Sequence, residues 1–325
     1  MNRFDQIMVV SLNPAVDRVV EVPGFRAGDH QRGNRLARYP AGKATNVARA
    51  MSALGQPPAV SGFVGEAELQ WYQQFLLGEG VEDCSLIPVA GCTRENITVV
   101  DPLAPGADTH VVEQGFSVAA ADVARLRDAL GAFAGTGRLV AFCGSLSPGL
   151  SVEQFVELQR LCLQGGAEVA LDSSGAALRA GAELPLWLVK PNRQELAELT
   201  GSPLETHAEQ RAAAATLARR IRWVLVSAGA EGAMLVDAAG SRQAVVPLAA
   251  EKVVGTVGCG DVLLAGFLAG WQGAIWQGAD SKVQDRASDA VRRGVAAATC
   301  AATRLMRTID AQSVEAYEQE VELRA

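Results

Sequence analysis

RLVAFCGSL (138–146), AEVALDSS (167–174), LWLVKPN (186–192) and WVLVSAG (223–229) are four short apolar runs, each passing into Gly, Ser, Pro or Asn. Apolar character that continues without alternation over about four to eight residues is what a strand buried on both faces requires. MVVSL (8–12) is a fifth run of this kind. Helical patterns lie between them. Ser151 opens one, with Gln154 three residues on completing a capping box ahead of Phe155, Leu158 and Cys162. Val123, Leu126, Leu130 and Phe133 mark a second. A third covers 44–54, with Val47, Ala50, Met51 and Leu54 on one face and Gly55 as its stop. Strand and helix in this alternation predict an α/β fold, a mostly parallel central sheet with helices on both faces and right-handed crossovers. Ligands of such sheets bind beyond the carboxyl ends of the strands.

Two stretches break the rhythm, 16–40 and 93–113; the second carries ITVVDP and THVVE around the turn-rich PLAPGAD. Both read as antiparallel strand material inserted between βα units, enough for a small β lid over the main sheet. No linker, low-complexity segment or repeat divides the chain, so 1–325 reads as a single domain with lid strands from about 16–40 and 93–113.

Composition narrows the function. With 49% hydrophobic residues over 325 positions the chain can bury a large core, which excludes disorder. Its balance of 29 basic against 36 acidic residues, net −7, offers no broad basic surface for a nucleic acid. The 6 cysteines include no C-x-x-C pair and the amino terminus has no unbroken apolar region, so a reduced, cytoplasmic protein is expected. The uncharged stretch 262–279 contains Gln272, Gln277 and several glycines, and reads as a buried helix with its exit turn rather than a membrane span. The 3 histidines are scattered and form no ligand motif. Neither G-x-x-x-x-G-K-[ST] nor G-x-G-x-x-G occurs, which removes the main warrant for P-loop and Rossmann nucleotide sites.

Gly255-Thr-Val-Gly258-Cys259-Gly260-Asp261, followed at once by VLLAGFLAGW, is the sharpest local signal. Glycines before a helix let backbone N–H groups converge, and the helix dipole adds positive potential for anionic oxygens such as a phosphoryl group in transfer. Asp261 at that edge suits a general base for an attacking hydroxyl, and equally a plain N-cap; the heptapeptide alone leaves both open. Gly42, Lys43 and Asn46 in YPAGKATNVAR (39–49) place a close-approach glycine, a cation and an amide near a helix start. Asp17 in NPAVD (13–17) follows the first strand, where a carboxylate can hold sugar hydroxyls or merely end a turn. GSLSPG (144–149), DSSG (172–175) and KPN (190–192) with Glu195 put polar residues at three further strand ends, which favours one extended crevice.

Taken in this order, the segments resemble the ribokinase-like (PfkB) carbohydrate kinases over nearly the whole chain. The family's G-A-G-D signature appears as Gly258-Cys259-Gly260-Asp261, and the resemblance implies that Asp261 is the catalytic base and that Gly258, Gly260 and the Asp261 N–H hold the γ-phosphoryl oxygens. The family's G-G-K-G-x-N appears as Ala41-Gly42-Lys43-Ala44-Thr45-Asn46, with two glycines replaced by alanine, a costly change wherever positive φ is needed. It further implies that Asp17 binds sugar hydroxyls, that Asn192 and Glu195 form the N-x-x-E element acting indirectly with Mg²⁺, and that Lys190, Ser227, Gly229 and Gly232 line an ATP pocket. ATP, Mg²⁺, room for a monovalent cation and a homodimer paired through the lid follow from the same resemblance; no membrane partner does.

Within the family the phosphosugar branch is the closer resemblance, the type of 1-phosphofructokinase, tagatose-6-phosphate kinase and the minor 6-phosphofructokinase. Its acceptor already carries a phosphate, for which Arg94, Lys43 and Arg32 supply cations, each also readable as a solvated surface charge. The expected activity is transfer of the γ-phosphate of ATP to a hydroxymethyl group of a ketohexose phosphate, 1-phosphofructokinase-like first, with tagatose-6-phosphate or fructose-6-phosphate as other acceptors. A kinase of unphosphorylated sugars or nucleosides, and a non-catalytic sugar-phosphate sensor, stand as competing readings.

Overall fold

A computed structural model describes residues 4–104, 108–273, 283–304 and 308–324. The chain opens with β1 (Gln6–Ser11), β2 (Ala15–Glu21), β3 (Asn34–Ala41), α1 (Lys43–Ala53), β4 (Ala59–Gly65), α2 (Leu69–Gly78), β5 (Asp83–Val89), β6 (Glu95–Val100) and β7 (Thr109–Val112). It continues through α3 (Ala120–Phe133), β8 (Arg138–Cys143), α4 (Val152–Gln164), β9 (Glu168–Asp172), α5 (Gly175–Gly181), β10 (Leu188–Val189), α6 (Arg193–Thr200) and α7 (His207–Leu217). Then follow β11 (Trp223–Ser227), β12 (Ala233–Asp237), β13 (Gly240–Val245), α8 (Cys259–Gly273), α9 (Val283–Ala302), α10 (Ala311–Glu320) and β14 (Glu322–Arg324).

Ten strands form the main sheet in the order β14-β13-β12-β11-β10-β9-β8-β1-β4-β5. From β11 to β5 every neighbour is parallel, and β11 to β14 add an antiparallel edge. The expected mostly parallel sheet is therefore present, and its apolar runs are buried on both faces, as in β8, where Leu139 to Cys143 are all enclosed. In LWLVKPN the regular ladder covers Leu188 and Val189 and is interrupted at Pro191, which has no N–H, before pairing resumes as a single bridge from Asn192 to Ser227. The capping box of Ser151 and Gln154 forms as read, and α1 ends one residue early, with Gly55 at φ +74° supplying the left-handed exit.

The inserted segments pair as a separate sheet, β3-β2-β6-β7. Its hairpins β2–β3 and β6–β7 are antiparallel as expected, but β2 and β6 lie side by side in parallel. The reason is that β1 and β5 run the same way in the main sheet and each passes within a few residues into β2 or β6, so both leave over the same edge. The turn-rich PLAPGAD reading covers 105–107, which lie outside the described residues.

Helix α8 is enclosed from Asp261 to Gln272. Below it an aromatic cluster joins Phe4, Trp187, Trp223, Phe267 and Trp271, with ring centroids 5.1 Å apart for both Phe4–Trp187 and Trp187–Trp271. Above it α9 approaches so closely that a Cβ on Gly266 would lie 2.8 Å from the Cα of Gly294. This double burial accounts for the membrane-like composition of the segment; the exit turn read at 274–279 lies outside the described residues. No helix among the described residues is long and apolar enough to cross a membrane.

Candidate active site

Sheet topology brings the carboxyl ends of β9, β10 and β11 to the start of α8, around a cleft of about 430 Å³. Lys43, Lys190, Asn192, Glu195, Ser227, Gly229, Gly232, Gly258, Cys259, Gly260 and Asp261, all singled out from sequence, line it together. The far end is aliphatic, with Val246, Leu248, Val253, Val295, Ala298 and Ala302. One end therefore suits charged groups and the other a flat apolar one.

Each polar group has a local reason for its place. Gly42 stands at φ +106°, a conformation that favours glycine, and turns the chain from β3 into α1 so that Lys43 emerges at the helix start. Ala41 closes β3 and Ala44 lies inside α1, so neither replaced glycine occupies a left-handed position and the loop keeps its shape. The Tyr72 hydroxyl, buried, donates to the Ala41 carbonyl at 2.5 Å and pins that turn to α2. Asn192 and Glu195 cap α6 reciprocally: the Glu195 N–H donates to Asn192 Oδ1 and the Asn192 N–H to Glu195 Oε2, both at 2.8 Å.

At the head of α8, Gly258 takes φ +80° and opens the helix. The Asp261 N–H, expected to face a phosphoryl oxygen, instead donates to the Gly258 carbonyl at 3.0 Å, and the Cys259 N–H to Thr256 O at 3.2 Å, because the turn closes on itself. The Gly260 N–H has no acceptor among the described residues. Asp261 Oδ2 accepts from Asn46 Nδ2 at 2.8 Å, while Oδ1 takes no hydrogen bond among the described residues and the residue lines the cleft. Burial, then the neighbouring Asp172 carboxylate, push the Asp261 carboxyl up to about 6, against the Asn46 hydrogen bond and the Lys43 and Lys190 charges. Asp172, at the end of β9, is fully enclosed; Lys43 Nζ donates to its Oδ1 at 3.0 Å and Lys190 Nζ pairs with its Oδ2 at 3.1 Å. Burial pulls the Lys43 ammonium down, but Asp172, with Asp261 and Glu195, outweighs it and holds Lys43 above its ordinary value.

Asp17, Gly42 and Arg94 belong to an adjoining cluster under the second sheet. Asp17 lies within β2, not in the preceding turn, since pairing with β3 and β6 begins at Ala15 and Val16. Its Oδ1 accepts from Asn96 Nδ2 at 2.9 Å. Arg94 donates to the carbonyls of Asn13 (3.3 Å), Pro14 (3.2 Å) and Glu113 (3.3 Å), and burial lowers its guanidinium from the ordinary value against the pull of Asp17. Asn13 reaches across to Ser145 Oγ at 3.2 Å. Arg32 is exposed on the connection from β2 to β3, with no bond to either cluster, because that connection carries it beyond the sheet.

One participant is absent from the sequence analysis. Asn96 is two residues from Arg94, and period-2 spacing in an extended chain puts both on one face. Asp172 was visible as a strand end, but only the sheet order sets it between two lysines. Among the described residues no group of three or more His, Cys, Asp or Glu could cage a metal ion. A divalent cation arriving on a polyphosphate keeps most of its waters and needs only one or two carboxylates, and Glu195 with Asn192 at the cleft wall fits that demand.

The pfkB family carbohydrate kinase pattern matches residues 5–312, and the chain belongs to that family. It is similar to the 1-phosphofructokinase of Haemophilus influenzae, 35% identical over 82% of this chain and 84% of that one. The 1-phosphofructokinase of Rhodobacter capsulatus is 37% identical over 81% and 83%. Among solved structures, phosphofructokinase-2 from Escherichia coli, in complex with substrates and products, superposes with a TM-score of 0.86 at 26% identity over 97% of this chain and 98% of that one. The same protein in complex with potassium gives 0.87 at 25% identity, with the same coverage. The chain is thus a sugar kinase of ribokinase-like fold, and its family implies ATP as donor.

The Asp261 carboxyl ionises at higher pH in the fold than in the unfolded chain. Between about pH 4 and 6 the native state holds the extra proton, so this group's contribution to stability is lost as pH rises through that window. Asp261→Asn should therefore raise Tm at pH 8, by roughly 1–3 kcal/mol of stability, and leave it nearly unchanged at pH 4. Thermal melts at the two pH values check this, and an equal Tm shift at both would show that the carboxylate is not disfavoured.

Proposed function

We propose that the protein transfers the γ-phosphate of ATP to a hydroxymethyl group of a ketohexose phosphate, as a 1-phosphofructokinase-like enzyme. The observation that carries this reading is Asp261, 6% exposed, at the head of α8 where the cleft's cationic end meets the glycine turn. The curated relatives' names favour fructose 1-phosphate as acceptor, with tagatose 6-phosphate and fructose 6-phosphate behind it.

In this reading the apolar end of the cleft takes the base and Lys43 and Lys190 receive the phosphates. Asp17 holds acceptor hydroxyls under the second sheet, which acts as a lid and excludes water. Arg94, released from the Asn13 and Pro14 carbonyls, grips the phosphate already on the sugar. Asp261 Oδ1 accepts the hydroxymethyl proton as that oxygen attacks the γ-phosphorus; the new O–P bond forms as the bond to the β–γ bridging oxygen breaks, and ADP departs. The Gly260 N–H and the α8 dipole meet the charge on the phosphoryl oxygens. Glu195 and Asn192 would hold a divalent cation, which would offset charge on the phosphates.

Leu36, Val111 and Val112, exposed on the outer strands β3 and β7, support pairing of two copies through the lid. The thiol state of the cysteines supports a reduced, cytoplasmic setting.

ATP consumption with Mg²⁺ against fructose 1-phosphate, fructose 6-phosphate, tagatose 6-phosphate, fructose and ribose should show turnover on a phosphorylated ketose; turnover on free sugars alone would refute the phosphosugar reading. Asp261→Asn should lower kcat by at least about 10²-fold with the fold intact. A folded variant with wild-type kcat would remove Asp261 from the chemistry. Arg94→Ala should raise KM for the phosphosugar and leave that for ATP nearly unchanged, while equal effects on both substrates would argue against phosphate gripping.

A further inference from the structure

Asp172 touches neither substrate in the proposed reaction, yet its carboxylate is wholly enclosed and carries an ammonium on each oxygen, Lys43 at 3.0 Å and Lys190 at 3.1 Å. Its place is rigid, since it ends β9 in the middle of the main sheet and its carbonyl accepts from the Gly144 N–H at 2.8 Å. Both lysines line the cleft beside Asp261. Lysine side chains are long and their charges compact, so an ammonium deprived of one carboxylate turns to the nearest other. Here Asp261 stands within electrostatic reach of both lysines. An aspartate locked to an ammonium is a weaker base, and its free oxygen is occupied.

We propose that Asp172 is a positioning residue: by engaging one ammonium at each oxygen it holds Lys43 and Lys190 off Asp261 and leaves Asp261 Oδ1 open to the acceptor hydroxyl. The inference rests on the reading of Asp261 as base. The groups facing Asp261 come from every element around it. Helix α1 presents Lys43 and Asn46, β9 presents Asp172, and the residue after β10 is Lys190. Strand β8 presents the Cys143 thiol, which burial keeps neutral. Glu195 of α6 acts on Lys43 rather than on Asp261. Among the described residues, Asp172 is the carboxylate that raises Asp261, directly as a like charge and indirectly by occupying both cations.

The test is carried out on the full chain, with ¹³C-carboxyl-labelled aspartate titrated by NMR in the free protein and the Asp261 resonance assigned by Asp261→Asn. Asp172→Asn should lower the Asp261 midpoint by about one pH unit or more, and should reduce kcat at neutral pH by a larger factor than it changes KM for ATP. Asp172→Glu, which keeps the charge, should hold the midpoint near that of the wild type. Breaking a buried pair destabilises a fold, so the charge-balanced Asp172→Asn/Lys190→Met serves as a second variant; Lys43 released alone should shift the midpoint the same way. An unmoved midpoint in either folded variant overturns the proposal even where Asp261→Asn is inactive. A fully active Asp261→Asn overturns the base reading and the proposal together.

Discussion

A carboxylate withdrawn from water in a protein interior must be met by hydrogen bonds or opposite charge, or it takes up a proton. The carboxyl edge of the main sheet buries two of them, Asp172 and Asp261, within reach of two ammoniums, Lys43 and Lys190. The four groups balance in formal charge but not in pairing. Asp172 takes both ammoniums, Lys43 through a hydrogen bond and Lys190 as an ion pair without hydrogen-bond geometry, and Asp261 has one amide hydrogen bond from Asn46. In the proposed reaction that asymmetry gives Asp172 the positioning role and Asp261 the chemistry.

The balance depends on backbone that cannot shift. Asp261 stands in the first turn of a helix clamped between the Trp187–Trp271 cluster and α9, and Asp172 ends a strand with parallel neighbours on both sides. Lys43 follows a turn tied down by the Tyr72 hydroxyl, and Asn46 is one helical turn further on. Precision in the site thus comes from burial at a distance, through α8 above all. The second sheet is anchored differently, by hydrogen bonds from Arg94 to backbone carbonyls and from Asn96 to Asp17.

The family relationship agrees with this division. The chain superposes on phosphofructokinase-2 over 97% of its length at 26% identity, so the fold tolerates wide change in side chains. Ala41 and Ala44 show the same tolerance on a small scale, because strand and helix geometry accept alanine where only Gly42 needs its freedom.

Strand runs, helix caps and the glycine turn before Asp261 were legible in the sequence because each is a local pattern: apolar continuity, an i to i+3 capping pair, glycine where the backbone must bend. The residues lining the cleft were legible for the same reason, each standing at the end of a recognisable element. Which strand ends are neighbours is a long-range matter, and no local pattern places β9 next to β8 and β10. Hence the pairing of Asp172 with both lysines, the hydrogen bonding of the Asp261 amide within its own turn, the parallel contact of β2 with β6 and the outlying place of Arg32 were decided only in three dimensions. Local sequence governs the conformation of a segment; the company its charges keep is set by sheet order and burial.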